Sequence, residues 1–431
     1  MSALCARSVE ELAPALAAGA LRPHELARAL IDRIEATDAG VRAWVHLDRA
    51  LALDAAARLD ATPVGSRGPA FGLPLGVKDI VDTEAWPTEL GSPIGAGRRP
   101  SRDAACVERW RAAGGLVLGK TATTEFAYMH PAATANPWNP RHTPGGSSSG
   151  SAAAVALGQV PAALGTQTNG SIVRPAAYCG VVGFKPSLRL IPFDGVHVFS
   201  TTLDTLGTFT RSVADAAIVM HALVPAIPRE VPVARPPRLA FIDRFPWTAP
   251  VDDGGALDHA ASHLRRAGAE VVAVSMPDAL ADGRDVHRTI MLAEGARALG
   301  ALQARERSRM SATLNAGLDE GRSISADGHH RAMAARQAMI ATAAHWLADY
   351  DALMAPSAPS PAPEGLATTG DPACCTFASL LGFPAITIPV GRGANGLPVG
   401  MQLVARSGDD ADLLGVAAWC ESRLPRWRGL V

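Results

Sequence analysis

Apolar residues recur every three to four positions in three early stretches of the chain: SVEELAPALAAG, RPHELARALIDRIEAT and DRALALDAAARLDA, between residues 8 and 61. That period predicts three helices. Ser8, with Glu11 three residues on, has the form of a capping box, and Gly19 and Gly40 read as helix stops. The pattern then changes. LPLGVKDIV (73–81) is a compact apolar run and predicts a strand, a helix follows at 104–113, and GGLVLGKT predicts a second strand. Residues 131–151 are rich in Pro, Asn, Gly and Ser and read as loop, before a helix at Ala152–Leu157 and the apolar run PAALGT. Turns and short strands are expected from 165 to 210. A strand (RLAFID), a helix (GALDHAASHLRRAG) and a strand (EVVAVSM) follow. Two long helical stretches cover about 283–310 and 328–348. The strands DALMAP, AITIPVG and GMQLVA and a closing helix complete the chain. Alternation of this kind predicts an α/β fold.

No internal repeat is evident. The Pro-rich piece VPAIPREVPVARPP (224–237) is the best candidate linker. Read as an exposed crossover before an inserted subregion, it leaves the expectation of one domain over 1–431, carrying a helical and α/β elaboration at about 220–345.

Composition narrows the function classes. Apolar residues make up 48% of the 431, enough for a large core. A formal net charge of −1 gives no electrostatic pull toward nucleic acid or an anionic membrane. No apolar run reaches the ~18 residues of a membrane span, and the N-terminus lacks a signal-peptide pattern. The six cysteines form neither a CxxC pair nor a zinc-like spacing with histidine. A cytoplasmic protein with reduced thiols is expected, using no metal and no cofactor.

The candidate chemistry lies in TPGGSSSGSAAAVALG (143–158). A Gly/Ser tract is commonly a flexible connection. This one runs straight into a helix-forming alanine run, where backbone N–H groups and the positive end of the dipole converge. Further on, GTQTNGSIVRPAAYCG (165–180) is again built from small polar residues that let consecutive N–H groups turn inward. Ser171 lies at the end of that run, as a nucleophile beside an oxyanion hole would. Lys78 is the only lysine in the first 119 residues and lies in an apolar strand. Burial disfavours its ammonium form, so it is a candidate base. An ion pair between Lys78 and Asp79 is the structural alternative.

GGSSSGSAAAVALG, GTQTNGSIVRPAAYCGVVGFKPS and the upstream GVKD resemble the amidase signature family, as do LDTLGTFTRSVAD (203–215) and NGLPVGMQLVA (395–405). The resemblance runs from about residue 8 to 421, breaks at roughly 220–345, and is most like the short bacterial malonamidase-type members. It implies a central mixed β-sheet covered by helices on both faces. It also implies a Ser–Ser–Lys triad: Ser171 as nucleophile, Ser147 as bridge after a cis Gly146–Ser147 peptide, and Lys78 as base. The backbone N–H groups of Thr168, Asn169 and Gly170, with that of Ser171, then supply the oxyanion hole, and the partner is a small-molecule amide. A homodimer is compatible with the family.

Two departures stand out. The commonest wording is GTDTGGSIR, whereas this chain has Gln167 and Asn169. Asn tolerates left-handed backbone, so the hole can survive. The arginine is displaced by one, to Arg174, with Val173 in its usual place. Malonamidase-like members share that displacement and use the arginine on a substrate carboxylate; a structural ion pair is the equal alternative.

Other readings compete. Gly146–Gly150 matches the G-x-S-x-G of α/β-hydrolases, with Ser148 as nucleophile and His197, His329 or His330 as base, but the prolines before it argue against the required strand. His130 and His142 lie near the motif in sequence. The family also includes the glutaminase-type subunit of a tRNA-dependent amidotransferase, and a non-catalytic binder is a third class. Trp86, Tyr128, Phe199 and Phe377 are candidates for the pocket wall, each equally suited to the core.

Overall fold

The computed structural model describes residues 3–231 and 235–431, so part of the 224–237 candidate linker lies outside the described residues. The three early helices form as the period predicts: α1 (Val9–Ala18), α2 (Pro23–Thr37) and α3 (Arg49–Asp60). Ser8 and Glu11 make the reciprocal capping box of α1. The strands are β1 (Trp44–His46), β2 (Pro74–Lys78), β3 (Leu116–Thr121), β4 (Ala162–Gln167), β5 (Val182–Lys185), β6 (Thr205–Thr210), β7 (Arg238–Phe241), β8 (Glu270–Ala273), β9 (Ala352–Pro356), β10 (Ala385–Arg392) and β11 (Pro398–Val404). Among the described residues they form one mixed sheet, in the order β1-β3-β2-β4-β6-β5-β10-β11-β9-β7-β8. β2 runs parallel to both β3 and β4, whereas β4, β6, β5, β10, β11 and β9 pair antiparallel in turn. Every residue of β2, β3 and β4 is buried, so both faces of the sheet are covered.

The helices that follow are α4 (Ala105–Ala112), α5 (Ser149–Ala156), α6 (Val173–Cys179), α7 (Val213–Leu223), α8 (Ala256–Arg266), α9 (Gly283–Glu306), α10 (Ala312–Ser323), α11 (Ala326–Trp346), α12 (Thr376–Leu381) and α13 (Asp410–Arg423). Two differ from expectation at the place that matters. α5 starts three residues early, inside the Gly/Ser tract. Gly150 there lies so close to neighbouring backbone that a Cβ would come within 2.1 Å of the Ala43 carbonyl oxygen. α6 was expected to be turn and strand. Its Pro175 sits in the first turn, where the missing N–H removes no intrahelical bond.

α10 also goes beyond the expectation. Its two glycines and asparagine weaken the helical signal, but Ser311 caps it and it packs on α9. The segment after residue 238 joins the same sheet, because β7 pairs parallel with both β8 and β9. No helix among the described residues is long and apolar enough to cross a membrane.

Candidate active site

The site forms where the parallel strands β2, β3 and β4 end. Ligand sites of α/β sheets occur outside such carboxyl ends. Lys78 is the last residue of β2 and is fully buried. Its Nζ lies 2.7 Å from Ser147 Oγ and 2.8 Å from Thr166 Oγ1 on β4. No carboxylate comes within ion-pair distance of it among the described residues. Desolvation therefore dominates and holds the amine well below the usual lysine range; the carboxylate of Asp204 opposes this more weakly. Asp79 does not pair with Lys78. It faces Lys120 instead, at 3.5 Å.

Residues 142–151 are all buried, which is incompatible with a hinge. The serines of the tract divide by partner. Ser148 Oγ donates to the Thr166 carbonyl (3.2 Å), Ser149 Oγ to the Gly145 carbonyl (2.8 Å) and Ser151 Oγ to the Leu164 carbonyl (2.8 Å). Ser147 alone turns its hydroxyl to Lys78. The Gly146–Ser147 peptide is cis. Its flanks are held: Arg174 Nη2 donates to the Gly146 carbonyl (2.7 Å) and the Thr124 N–H to the Ser147 carbonyl (3.2 Å). Ser148, the nucleophile of the α/β-hydrolase reading, is thus fully buried and bound to β4 backbone.

Beyond β4 the chain turns through Thr168–Ser171. Gln167 organises this turn: its Oε1 accepts the N–H groups of Ile172 (2.8 Å) and Val173 (3.0 Å), and its Nε2 donates to Ser379 Oγ (3.0 Å). Three successive carbonyls point away from the turn. That of Thr168 meets His287 Nε2 at 3.0 Å, that of Asn169 meets Ser379 Oγ, and that of Gly170 meets the Arg174 N–H at 3.0 Å. In a planar trans peptide the following N–H points the opposite way. The N–H groups of Asn169, Gly170 and Ser171 accordingly point away from those partners, and they meet no acceptor among the described residues. Asn169 is not left-handed, so its backbone needs no special tolerance; its side chain accepts a hydrogen bond from Thr376 Oγ1 at 3.0 Å.

A cavity of about 370 Å³ opens on this turn. Thr168, Asn169, Gly170, Ser171 and Arg174 line it, with Tyr128, Phe199, Arg284, His287, Arg288 and Asp371. Ser171 Oγ makes no hydrogen bond among the described residues and stands on the cavity wall. Tyr128 and Phe199 stack at 4.9 Å between ring centroids. Trp86 and Phe377 are core residues and take no part in the wall. His130 is exposed and His142 bonds the Ala362 carbonyl at 2.8 Å; neither reaches the cavity. His197 and His329 also lie outside it: His197 packs on Phe126, and His329 faces Glu294 at 3.4 Å.

Arg174 is 2% exposed and has no carboxylate within ion-pair distance among the described residues. It bonds the carbonyls of Gly370 and Gly146 and the Thr369 hydroxyl, and its Nε has no partner. The structural ion pair is therefore absent from this arginine.

A family model for amidases matches residues 25–414. The chain belongs to the amidase signature family. As a family member it is an enzyme of amide C–N bonds. It is 35% identical to a subunit of the glutamyl-tRNA(Gln) amidotransferase of Anaeromyxobacter sp. (strain K), over 98% of this chain and 97% of that protein. The native peptide amidase from Stenotrophomonas maltophilia superposes with a TM-score of 0.83 at 30% identity, covering 98% of both chains. The corresponding glutamyl-tRNA(Gln) amidotransferase subunit from Thermotoga maritima superposes with a TM-score of 0.81 at 26% identity, covering 99% of this chain and 97% of that one.

Several residues of this amidase site were not singled out by sequence. Thr166 lay inside a quoted motif and shares Lys78. Asp204 lay inside another; buried, it accepts Thr168 Oγ1 at 2.6 Å and the N–H groups of Phe199 and Ser200. Ser379 and His287 carried no motif.

Proposed function

We propose that the chain is an amidase that cleaves a small, carboxylate-bearing amide through an acyl-enzyme on Ser171. The observation that carries this is the short contact between Ser147 and the buried Lys78 amine, whose charged form burial disfavours. A neutral amine has a lone pair and can take the Ser147 proton while donating to Thr166. Ser147 then draws the proton of Ser171, whose Oγ attacks the amide carbonyl. No hydrogen bond joins Ser171 to Ser147 among the described residues; catalytic links of this kind can tighten only around substrate. Negative charge developing on the carbonyl oxygen meets the N–H groups of Asn169, Gly170 and Ser171; losing one such donor costs ~10²–10³ in rate. Ser147 returns the proton to the departing nitrogen, and water releases the acyl group by the reverse relay.

Arg174 supports the acidic substrate. Its charge borders the cavity without an acid in ion-pair distance among the described residues, and Arg284 adds positive charge at the mouth; Arg288 there is paired with Glu320, and Asp371 adds one negative charge to the lining. Six buried free cysteines support a reducing, cytoplasmic setting.

A second reading follows from the 35% identity to a glutamyl-tRNA(Gln) amidotransferase subunit. Here the chain would hydrolyse glutamine, whose α-carboxylate also suits Arg174, and pass ammonia to a partner. Ammonia release by the purified chain alone, from small acidic amides, neutral amides and glutamine, separates the two. The Ser171→Ala variant is expected to lose essentially all release. Retention of more than a small fraction removes Ser171 from the nucleophile's role.

A further inference from the structure

The elaboration at 220–345 lines the cavity with several side chains, and one of them, His287, bonds the backbone of the oxyanion turn. His287, on the second turn of α9, is 1% exposed. Its Nε2 lies 3.0 Å from the Thr168 carbonyl oxygen, and the ring also borders the cavity. Burial pushes the imidazole down to about 4, so at neutral pH it carries a single ring proton. A carbonyl oxygen only accepts, which assigns that proton to Nε2.

We propose that His287 is a positioning residue. By holding the Thr168 carbonyl outward it keeps the Asn169 N–H turned into the cavity, where that N–H serves as an oxyanion donor. The proposal rests on the acyl-enzyme reading above. Peptide planarity carries it: the Thr168–Asn169 unit rotates as one plate, so fixing its oxygen fixes its hydrogen. The neighbouring plates are fastened from elsewhere. Ser379 holds the Asn169 carbonyl, and the first turn of α6 holds that of Gly170. Without His287 the first plate alone lacks an anchor for its oxygen.

A second set of contacts links the same helix to the same turn. Glu294, two helical turns beyond His287, accepts the Ser200 hydroxyl (2.6 Å) and the Thr202 N–H (2.9 Å). Ser200 and Phe199 donate their N–H groups to Asp204, which takes the Thr168 hydroxyl. α9 therefore grips Thr168 by its carbonyl directly and by its side chain through Asp204. The elaboration on this account completes the hole and does more than cover it.

The test compares His287→Ala with His287→Gln. The Gln amide nitrogen sits about where His Nε2 does and restores a donor. The expected result for His287→Ala is a fall in kcat on the order of 10- to 100-fold, less than for deleting a direct donor, with KM little changed. His287→Gln is expected to recover most of the loss. If His287→Ala does not fold, as judged by its thermal unfolding, His287→Leu fills the space without a donor and replaces it. Wild-type kcat in the donor-free variant overturns the proposal. So does a loss confined to KM, or a Gln variant no better than Ala.

A second readout is the rate at which Ser171 displaces fluoride from a fluorophosphonate, read as a single mass addition. This step also develops charge on an oxygen facing the hole. Wild type is expected to label at Ser171, His287→Ala more slowly, and His287→Gln in between. Wild-type labelling with an equal rate in His287→Ala overturns the role of His287 alone. A wild type that neither labels nor hydrolyses any amide overturns the acyl-enzyme reading and this proposal with it.

Discussion

Two buried lysines stand on neighbouring strands of this protein, and they differ in company. Lys78 on β2 and Lys120 on β3 are both fully buried. Lys120 is paired in the sheet with Val77, so its side chain leaves the face opposite to that of Lys78. There it finds Asp79 at 3.5 Å, the carbonyls of Val81 (2.8 Å) and Pro87 (3.2 Å), and the Thr88 hydroxyl. Its pKa is pushed down by burial to about 8, with Asp79 pulling back. Among the described residues Lys78 finds two hydroxyls and no acid, and it is pushed well below the ordinary lysine value. Burial is common to both, so on the proposed mechanism the missing counter-charge is what suits one amine to act as a base. Asp79 stabilises a structural ammonium on one face, and the other face is left without a contacting acid.

The largest expected effect tests that division directly. Lys78→Met should lower kcat/KM on the order of 10²- to 10⁴-fold, the range of an acid–base group, while the protein still folds. Lys120→Met should leave the folded protein active but unstable. It strands Asp79, a buried carboxylate, at a cost of about 3–5 kcal/mol in a urea unfolding curve. Lys78→Met strands no contacting carboxylate and should not show that loss. The comparison breaks if the two variants exchange phenotypes, or if both lose activity and stability together.

Arg174 extends the same logic to a third buried cation. Like Lys78, it lacks a contacting acid. Its guanidinium stays charged and holds the Gly146 carbonyl next to Ser147. Arg174→Met should therefore slow every substrate somewhat through that loop. The informative quantity is the ratio: acidic amides should lose on the order of 10- to 100-fold more kcat/KM than neutral ones, the worth of one charged hydrogen-bonded contact. Equal loss for both classes would leave Arg174 as a fastener of the cis loop only.

These contrasts were unevenly legible in the sequence. Ser171 and Lys78 were nameable from the residues themselves, because small polar loops and an isolated lysine in an apolar strand are local features; Ser147 was reached only through the resemblance to the family. The strand alternation also bears on Asp79: next to Lys78 in the chain, it must point to the other face, so the Lys78–Asp79 pair was excludable in principle. The turn to α6 was hidden by Pro175, which reads as a breaker unless its place in the first turn is known. Gln167 looked like a departure from the family wording; its oxygen accepts two N–H groups and its nitrogen donates to Ser379. His287 was out of reach. Nothing near it in sequence carries a pattern, and its partner Thr168 lies 119 residues away. Contacts made by packing one element on a distant loop leave no local trace.

The smallest effect concerns the weak counter-charge that Lys78 does feel. Asp204 lies beyond ion-pair distance from Lys78 but raises its pKa slightly, against the larger effect of burial. Burial also lifts Asp204 to about 6, so it is ionised at neutral pH. The sign follows. Catalysis needs the neutral amine, so kcat/KM should rise with pH through the pKa of Lys78 and fall off on the acid side. Removing the charge in Asp204→Asn should make the amine neutral at lower pH and move that acid limb downward, by less than about one unit for groups not in contact. The variant also disturbs the hydrogen bond from Thr168, which changes the height of the plateau; the midpoint of the limb is therefore the quantity to measure. A limb that stays in place or moves upward would mean that Lys78 is tuned by desolvation alone, and the contrast with Lys120 would then be wider than the charges near the two amines suggest.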